Sequence, residues 1–282
     1  MMTRHWSVRL GLIAVLLPFV ATAQSWRTFD VARQLREPGP LGVHVAFGAG
    51  RVSVEPTDGR NLFDVHLRYD AERAEPIYRF DAGQRRLEVG VRHFSNVRGG
   101  RGYKGSDLQV ALARGVPMQL ELDVGAAEGD INLTGLELET LTLKGGATDT
   151  RVRFDAPNPG RMTQLRVDAG AASIALSGLG HANIERIDAN VGVGKLELDF
   201  GGPWRGDVEL SVTSALGSVE VKVPGDVAIR VEKTSFLHSF SAPGLSKENG
   251  YWVSENWATA QYKLRIRATG TLGSLEISRI GR

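Results

Sequence analysis

One corner motif recurs along this chain at near-constant spacing, and that regularity constrains the fold more than any other feature. From about Leu41 onward, short segments of alternating apolar and polar residues are punctuated by glycine, with almost no 3.6-residue periodicity. Period-two alternation over four to six residues is the mark of a half-buried strand. The segment LELDVGAAEGDINL (120–133) alternates at Leu120 and Leu122, bends at Gly125, and alternates again at Ile131 and Leu133. LTLKGGATDTRVRF repeats it with Leu141, Leu143, Gly146, Val152 and Phe154, and LRVDAGAASIAL follows with Leu165, Val167, Gly170, Ile174 and Leu176. RIDANVGVGKLEL supplies Ile187, Asn190, Leu196 and Leu198, and LSVTSALGSVEV supplies Leu210, Val212, Thr213, Val219 and Val221. LRIRATGTLGSLEI, the last copy, has Leu264, Ile266, Thr269, Leu275 and Ile277. Aligned in this way, the step from bend to apolar residue is six in five copies (125→131, 146→152, 190→196, 213→219, 269→275) and four at 170→174. An earlier copy, VHVAFGAGRVSV, with Val43, Val45, Gly48, Val52 and Val54, also takes the four-residue step.

Each unit reads as two short strands around a corner that glycine permits, and such a unit is too small to bury its apolar face alone. Stacked in register, the units place Leu, Val and Ile over their counterparts and give every backbone a hydrogen-bonding neighbour. The predicted fold is therefore all-β, a β-solenoid-like stack of short strands. The intervening polar residues, among them Glu121, Asp123, Arg166, Asp168, Glu197, Glu209, Glu220 and Lys222, face outward. The alternative is a β-sandwich, whose strands also recur every 8–12 residues but whose turns have no reason to repeat one motif. Glycine, at 34 residues without a G-X-Y period, serves the corners, and the absence of cysteine excludes disulfide scaffolds, thiolate metal sites and cysteine nucleophiles.

The segment GVPMQLELDVGAAEGDINLTGLELETLTLKGGATDTRVRF (115–154) resembles the toastrack-type, or "putative adhesin", domains of bacterial envelope proteins, including the extracytoplasmic part of LiaF-like regulators. The similar features are a strand entered through Gly115-Val116-Pro117, the run Leu133-Thr134-Gly135-Leu136, and paired glycines closing each rung. VKVPGDVAIRV (221–231) and ATGTLGSLEI (268–277) fit the same pattern. The resemblance implies a non-catalytic β-solenoid-like module that senses or associates with partners in the envelope. It carries over no catalytic residue, and the membrane helices beside the domain in LiaF-like proteins have no counterpart here.

The N-terminus reads as an export signal. Arg4 and Arg9 precede an apolar run over 10–20, and Ala21-Thr22-Ala23 is a small-x-small cleavage site. The run is about half the roughly 20 apolar residues that span a bilayer, and Pro18 interrupts it. The expected organisation is a signal peptide at 1–23, a lead-in at 24–40 and one domain at 41–282 with inserts at 92–105 and 233–262. Cleavage removes two of the 34 basic residues and none of the 32 acidic ones, leaving 32 against 32. A neutral exported chain disfavours nucleic acid as partner, and no later stretch has the length of a transmembrane helix.

The sequence holds no recognised catalytic arrangement. Its histidines (His5, His44, His66, His93, His181 and His238) show no HxH, HxxxH or HExxH spacing, and there is no G-x-S-x-G, no Walker motif and no Rossmann fingerprint following a βα unit. No cofactor is expected. Solenoid-face carboxylates such as Asp168 and Asp188, if stacked at equivalent rung positions, would lie about 5 Å apart and perturb each other's ionisation. They support two alternatives, a glycan-active enzyme and calcium binding, although the GGxGxD calcium repeat is missing.

The two inserts are the candidate partner-binding segments. The first, RHFSNVRGGRGYKG, is basic and glycine-rich with Arg98, Arg101 and Lys104, a composition suited to anionic lipid or polymer. The second, 233–262, holds six of the chain's 20 aromatic residues, Tyr251, Trp252 and Trp257 among them. These form either an exposed patch or a cap over the open end of the stack. The sequence thus predicts an exported, non-enzymatic, adhesin- or sensor-like binding protein in periplasm or extracellular space. Its partner is an envelope protein or a surface polymer, with a structural assembly subunit as a further alternative.

Overall fold

The computed structural model describes residues 25–36, 39–94, 105–234 and 239–281; the expected signal peptide lies outside them. In chain order the strands begin with β1 (Trp26–Gln34), β2 (Leu41–Thr57), β3 (Asn61–Asp70), β4 (Ala74–Asp81), β5 (Arg86–His93) and β6 (Ser106–Ala113). The middle of the chain forms β7 (Pro117–Asn132), β8 (Glu137–Gly145), β9 (Asp149–Arg153), β10 (Met162–Ser177), β11 (Ile184–Asp199) and β12 (Val208–Pro224). The last part forms β13 (Ala228–Thr234), β14 (Ser239–Ser241), β15 (Leu245–Glu248), β16 (Tyr251–Ser254), a 3₁₀ turn η1 (Glu255–Ala258) and β17 (Lys263–Ile280).

In six copies the repeat unit is one long bent strand, and in the copy at 141–154 it is two, β8 and β9. The first halves of β2, β7, β10, β11, β12 and β17 belong to one hydrogen-bonded ladder and their second halves to another. The first ladder runs β4–β5–β2–β7–β8–β10–β11–β12–β17–β13–β16–β15 and the second β1–β3–β6–β2–β7–β9–β10–β11–β12–β17–β14. Pairing within the rack is parallel, and antiparallel pairs close its ends (β1–β3, β3–β6, β4–β5, β13–β16, β15–β16). Alternate residues of both ladders are buried, as in Met118, Leu120, Leu122 and Ile131 of β7, and merge into one core from Leu41 to Ile277. The all-β, solenoid-like expectation holds, with two departures in detail.

First, the spacing is uniform. The pairing aligns Gly48, Gly125, Gly146, Gly170, Gly192, Ala215 and Thr271 at the corner, and Val52, Gly129, Thr150, Ile174, Leu196, Val219 and Leu275 four residues later. The six-residue step arose because Gly129 and Thr150 occupy inward positions where an apolar residue was sought. Thr150 is buried with its hydroxyl 2.8 Å from that of Thr148, which donates to the Ala127 carbonyl at 2.7 Å. A Cβ on Gly129 would meet Thr150 at 2.8 Å, so that rung is narrow in order to admit a threonine. In the later copies Asn190, Thr213 and Thr269 lie two residues before the true corner.

Second, rung order is not sequence order. β17, the last copy in the sequence, is inserted between β12 and β13, and β2, the first copy, lies between β7 and the pair β5 and β6. The lead-in contributes β1, which extends the second ladder beyond β3.

Two residues past the corner, the later rungs stack at van der Waals limits. Gly194, Gly217 and Gly273 have φ of +134°, +146° and +148°. A Cβ on each would lie 1.9 Å from the carbonyl oxygen of Ala172, Gly194 and Gly217 in the neighbouring rung. Gly206 offers the contrast, with nothing within 4 Å of its notional Cβ. Gly217→Ala is expected to lower unfolding free energy by about 3 kcal/mol or more in urea denaturation, and Gly206→Ala by under about 0.5 kcal/mol.

Candidate binding groove

Parallel in-register pairing puts equivalent outward side chains about 4.8 Å apart on neighbouring strands. Near the C-terminal end of the first ladder this builds two charged rows. Arg186, Glu209, Arg265 and Arg230 align across β11, β12, β17 and β13, and Asp188, Ser211, Arg267 and Glu232 form the row beside them. The rows floor a groove of about 330 Å³ with Tyr251 on its margin. Three of the four arginines are ion-paired: Arg186 to Glu209 at 3.1 Å, Arg267 to Glu232 at 3.2 Å and Arg265 to Asp207 at 3.0 Å. Arg230 is held instead by aromatic faces, its guanidinium carbon 4.5 Å from the Tyr251 ring centre and 5.1 Å from that of Trp257. Arg265 and Lys263 also approach the Trp257 ring, at 5.7 and 5.9 Å. Such contacts are worth about 0.5–1 kcal/mol each when exposed, enough to orient the side chains without locking them.

The β15–β16 hairpin delivers these aromatics. β16 pairs with the outer edge of β13, setting Val253 opposite Arg230 and Trp252 opposite Val231. Ser254, buried at the end of β16, accepts the Ile229 N–H at 2.8 Å and donates to Asn256 at 2.7 Å. That pins the start of η1 over β13. Alternation then sends neighbouring aromatics to opposite faces. Trp252 turns inward against the core and meets Phe240 at 5.1 Å between ring centres, whereas Tyr251 and Trp257 stand on the outer face beside Arg230. The sequence alternatives of cap and patch are therefore divided between residues. The other candidates, Arg98, Arg101 and Lys104, fall between β5 and β6 and lie outside the described residues.

The carboxylates proposed as a stacked pair are not one. Asp168 stands opposite Lys144 and Asn190, and Asp188 opposite Arg166 and Ser211. Asp168 accepts from Arg166 Nε at 2.6 Å and Asn190 Nδ2 at 2.9 Å. The Arg166 hydrogen bond foremost, helped by that from Asn190, holds its carboxyl below the usual carboxylate range against the opposing effect of desolvation. A carboxylate tuned this way has no proton to donate near neutral pH, the reverse of a general acid. His66 lies against Asp30 on the outer face of β3 and β1. Among the described residues no group of three or more His, Asp or Glu is placed to hold a metal ion, and no helix is long and apolar enough to cross a membrane.

A family model described as the N-terminal domain of toast_rack, DUF2154, matches residues 27–177, just over half of the chain. The chain belongs to the toast-rack family. The match covers β1 to β10, so the groove on this toast-rack chain is built from strands beyond the matched region. Similar solved structures include a "putative cell adhesion protein" from Clostridium sporogenes (11% identity, TM-score 0.43, covering 90% of this chain and 100% of that one). Others are a "putative adhesin" from Parabacteroides merdae (10%, 0.38, 91% and 96%) and a "putative lipid binding protein" from Parabacteroides distasonis (9%, 0.37, 91% and 97%). Likenesses this distant say nothing of what the toast-rack chain binds. No curated protein matches it.

The divided aromatic segment makes a direct prediction. Trp252→Ala, which opens the end of the core, is expected to cost about 2 kcal/mol or more in denaturant unfolding. Trp257→Ala, which removes half-buried ring contacts with Arg230, Arg265 and Lys263 outside the core, is expected to cost about 1 kcal/mol or less.

Proposed function

We propose that this toast-rack protein is an exported, non-catalytic binding protein of the bacterial envelope that captures a surface polysaccharide along the C-terminal groove. The observation that carries this reading is the Tyr251–Arg230–Trp257 cluster beside two rows of hydrogen-bonding and charged side chains. Aromatic faces pack against the C–H faces of sugar rings. Guanidinium forks hydrogen-bond hydroxyls and carboxylates in fixed directions. A groove of about 330 Å³ is within the size range of small-ligand sites and holds a short stretch of a longer chain. The non-catalytic part is supported by the register, which sets Asp168 opposite Lys144 and Asn190 rather than beside a second carboxylate.

Export is supported by the cationic and apolar N-terminal pattern ending at Ala23. N-terminal sequencing of the protein recovered outside the cytoplasm is expected to begin at Gln24; an intact Met1 would remove the export claim.

Affinity electrophoresis through gels containing acidic or neutral polysaccharides tests the binding. Wild type is expected to be retarded by at least one polymer, and Arg230→Ala and Trp257→Ala to weaken that retardation about tenfold, a loss near 1.4 kcal/mol. The polymer is expected to be recovered uncut. Retardation that survives both substitutions, or no retardation by any polymer, overturns the groove, and release of new sugar ends overturns the non-catalytic reading.

A further inference from the structure

The opposite end of the rack carries a second hollow, independent of the groove. It lies between the β1–β3 edge of the second ladder and the β4–β5 turn of the first, and it encloses about 570 Å³. Its cationic lining is Arg33, Arg36 and Arg85, its apolar lining includes Leu62 and Phe80, and no carboxylate is among its lining residues. Asp64 and Asp81, the acids beside it in sequence, are engaged elsewhere. Asp64 accepts from Asn61 at 2.6 Å, and Asp81 accepts the backbone N–H groups of Gly83 and Gln84 at 2.9 Å each. Glu37 lies outside the described residues.

On the ladder faces many cations sit beside acids, as in the Lys195–Glu197–Lys222–Glu220 square, Arg166–Asp168 and Arg153–Asp130. Arg33, Arg36 and Arg85 have no ion pair among the described residues. Guanidinium groups stay protonated at every physiological pH, so three of them around one hollow repel each other unless an anion enters.

Two of the three are also held in place. The Arg33 guanidinium carbon lies over the Phe80 ring, 4.2 Å from its centre, and Phe80 in turn packs against buried Phe63 at 5.4 Å between ring centres. Arg85 has a left-handed backbone, φ 49°, uncommon without glycine. Its carbonyl accepts the Gly42 N–H, and its guanidinium donates to the carbonyls of Gly39 and Pro40 at 3.2 Å each. One guanidinium held over a ring and one held by backbone carbonyls, with Arg36 lining the same hollow, leave N–H donors for a tetrahedral oxyanion.

The geometry points to a phosphate-binding site at this N-terminal end, taking a phosphoryl group borne by a lipid headgroup or by a soluble phosphate ester. The small apolar floor of Leu62, Ala32 and Ala82 accommodates the first atoms beyond the phosphate.

Arg36 is the position for the test, because its side chain makes no hydrogen bond or ion pair among the described residues and its replacement leaves the fold intact. The purified full chain is titrated with inorganic phosphate while the arginine Nε–H resonances are followed by NMR. Phosphate is expected to shift the signals of Arg33, Arg36 and Arg85. Arg36→Gln is expected to weaken binding about tenfold, Arg36→Lys to restore part of the loss, and Trp257→Ala to leave it unchanged, which separates this site from the groove. Co-sedimentation with phosphatidylglycerol vesicles, and not with phosphatidylcholine vesicles, that is lost in Arg36→Gln assigns the phosphate to a lipid. Vesicles that leave the protein in solution while inorganic phosphate still binds assign it to a soluble ester. Absence of binding to both probes, or binding undiminished in Arg33→Gln/Arg36→Gln, overturns the proposal.

Discussion

The C-terminal half of the rack depends on backbones touching beside its corners. Where the long strands bend, the Cα of one rung lies against the carbonyl oxygen of the next. Gly194, Gly217 and Gly273 repeat that contact in successive rungs at a notional Cβ separation of 1.9 Å. Any side chain there would force the rungs apart and break the in-register parallel pairing on both sides of the bend. Because the corner is fixed, each bent strand feeds two ladders at once, and the apolar residues of both meet in one core.

In-register stacking has a consequence for the surface, since it places outward residues of neighbouring rungs in direct lateral contact. Polar and oppositely charged neighbours often meet, with Glu121 beside Lys144 at 2.6 Å and Asp168 beside Asn190, and where Glu197 and Glu220 share a column Lys195 and Lys222 bridge both. The Lys144 hydrogen bond pulls the Glu121 carboxyl below its ordinary range, and that of Lys222 does the same to Glu197. Exposed pairs of this kind add little stability each, but without the bridging lysines the like charges of Glu197 and Glu220 would oppose the stacking. The same geometry stacks Val193, Leu216 and Leu272 one over another at the corner, where they stay exposed beside small residues. The two ends escape the pattern. There antiparallel strands and a hairpin replace parallel rungs, and there the polar clusters with unpaired arginines occur.

The core was legible because it is written in period two: Leu165, Ile187 and Leu210 were aligned from sequence and pair in register in the structure. The corner was legible in outline and misread in detail. Gly129 and Thr150 satisfy an inward position by matching each other's size and by hydrogen bonding, which an apolar pattern does not detect. The stacked Asp168 and Asp188 failed for a related reason, since a two-residue error of register moves a side chain to the next outward column. Tyr251, Trp252 and Trp257 were found as a cluster, but their division between core and surface required knowing that β16 adds to β13. The pocket arginines gave no signal, because Arg33, Arg36 and Arg85 come from two separate segments with ordinary spacing.

Sequence alone determined that this chain is a stack of bent, apolar-cored rungs, because alternation and glycine corners are local properties that repeat. Only the tertiary structure decided the order of the rungs and what gathers at their ends. The insertion of β17 between β12 and β13, and of β2 between β7 and the pair β5 and β6, joins residues far apart in the chain. No local pattern encodes which of several similar edges a strand will pair with. That choice falls to the closure of the whole core, and it brings Arg230 beside Trp257 at one end and Arg33 beside Arg85 at the other.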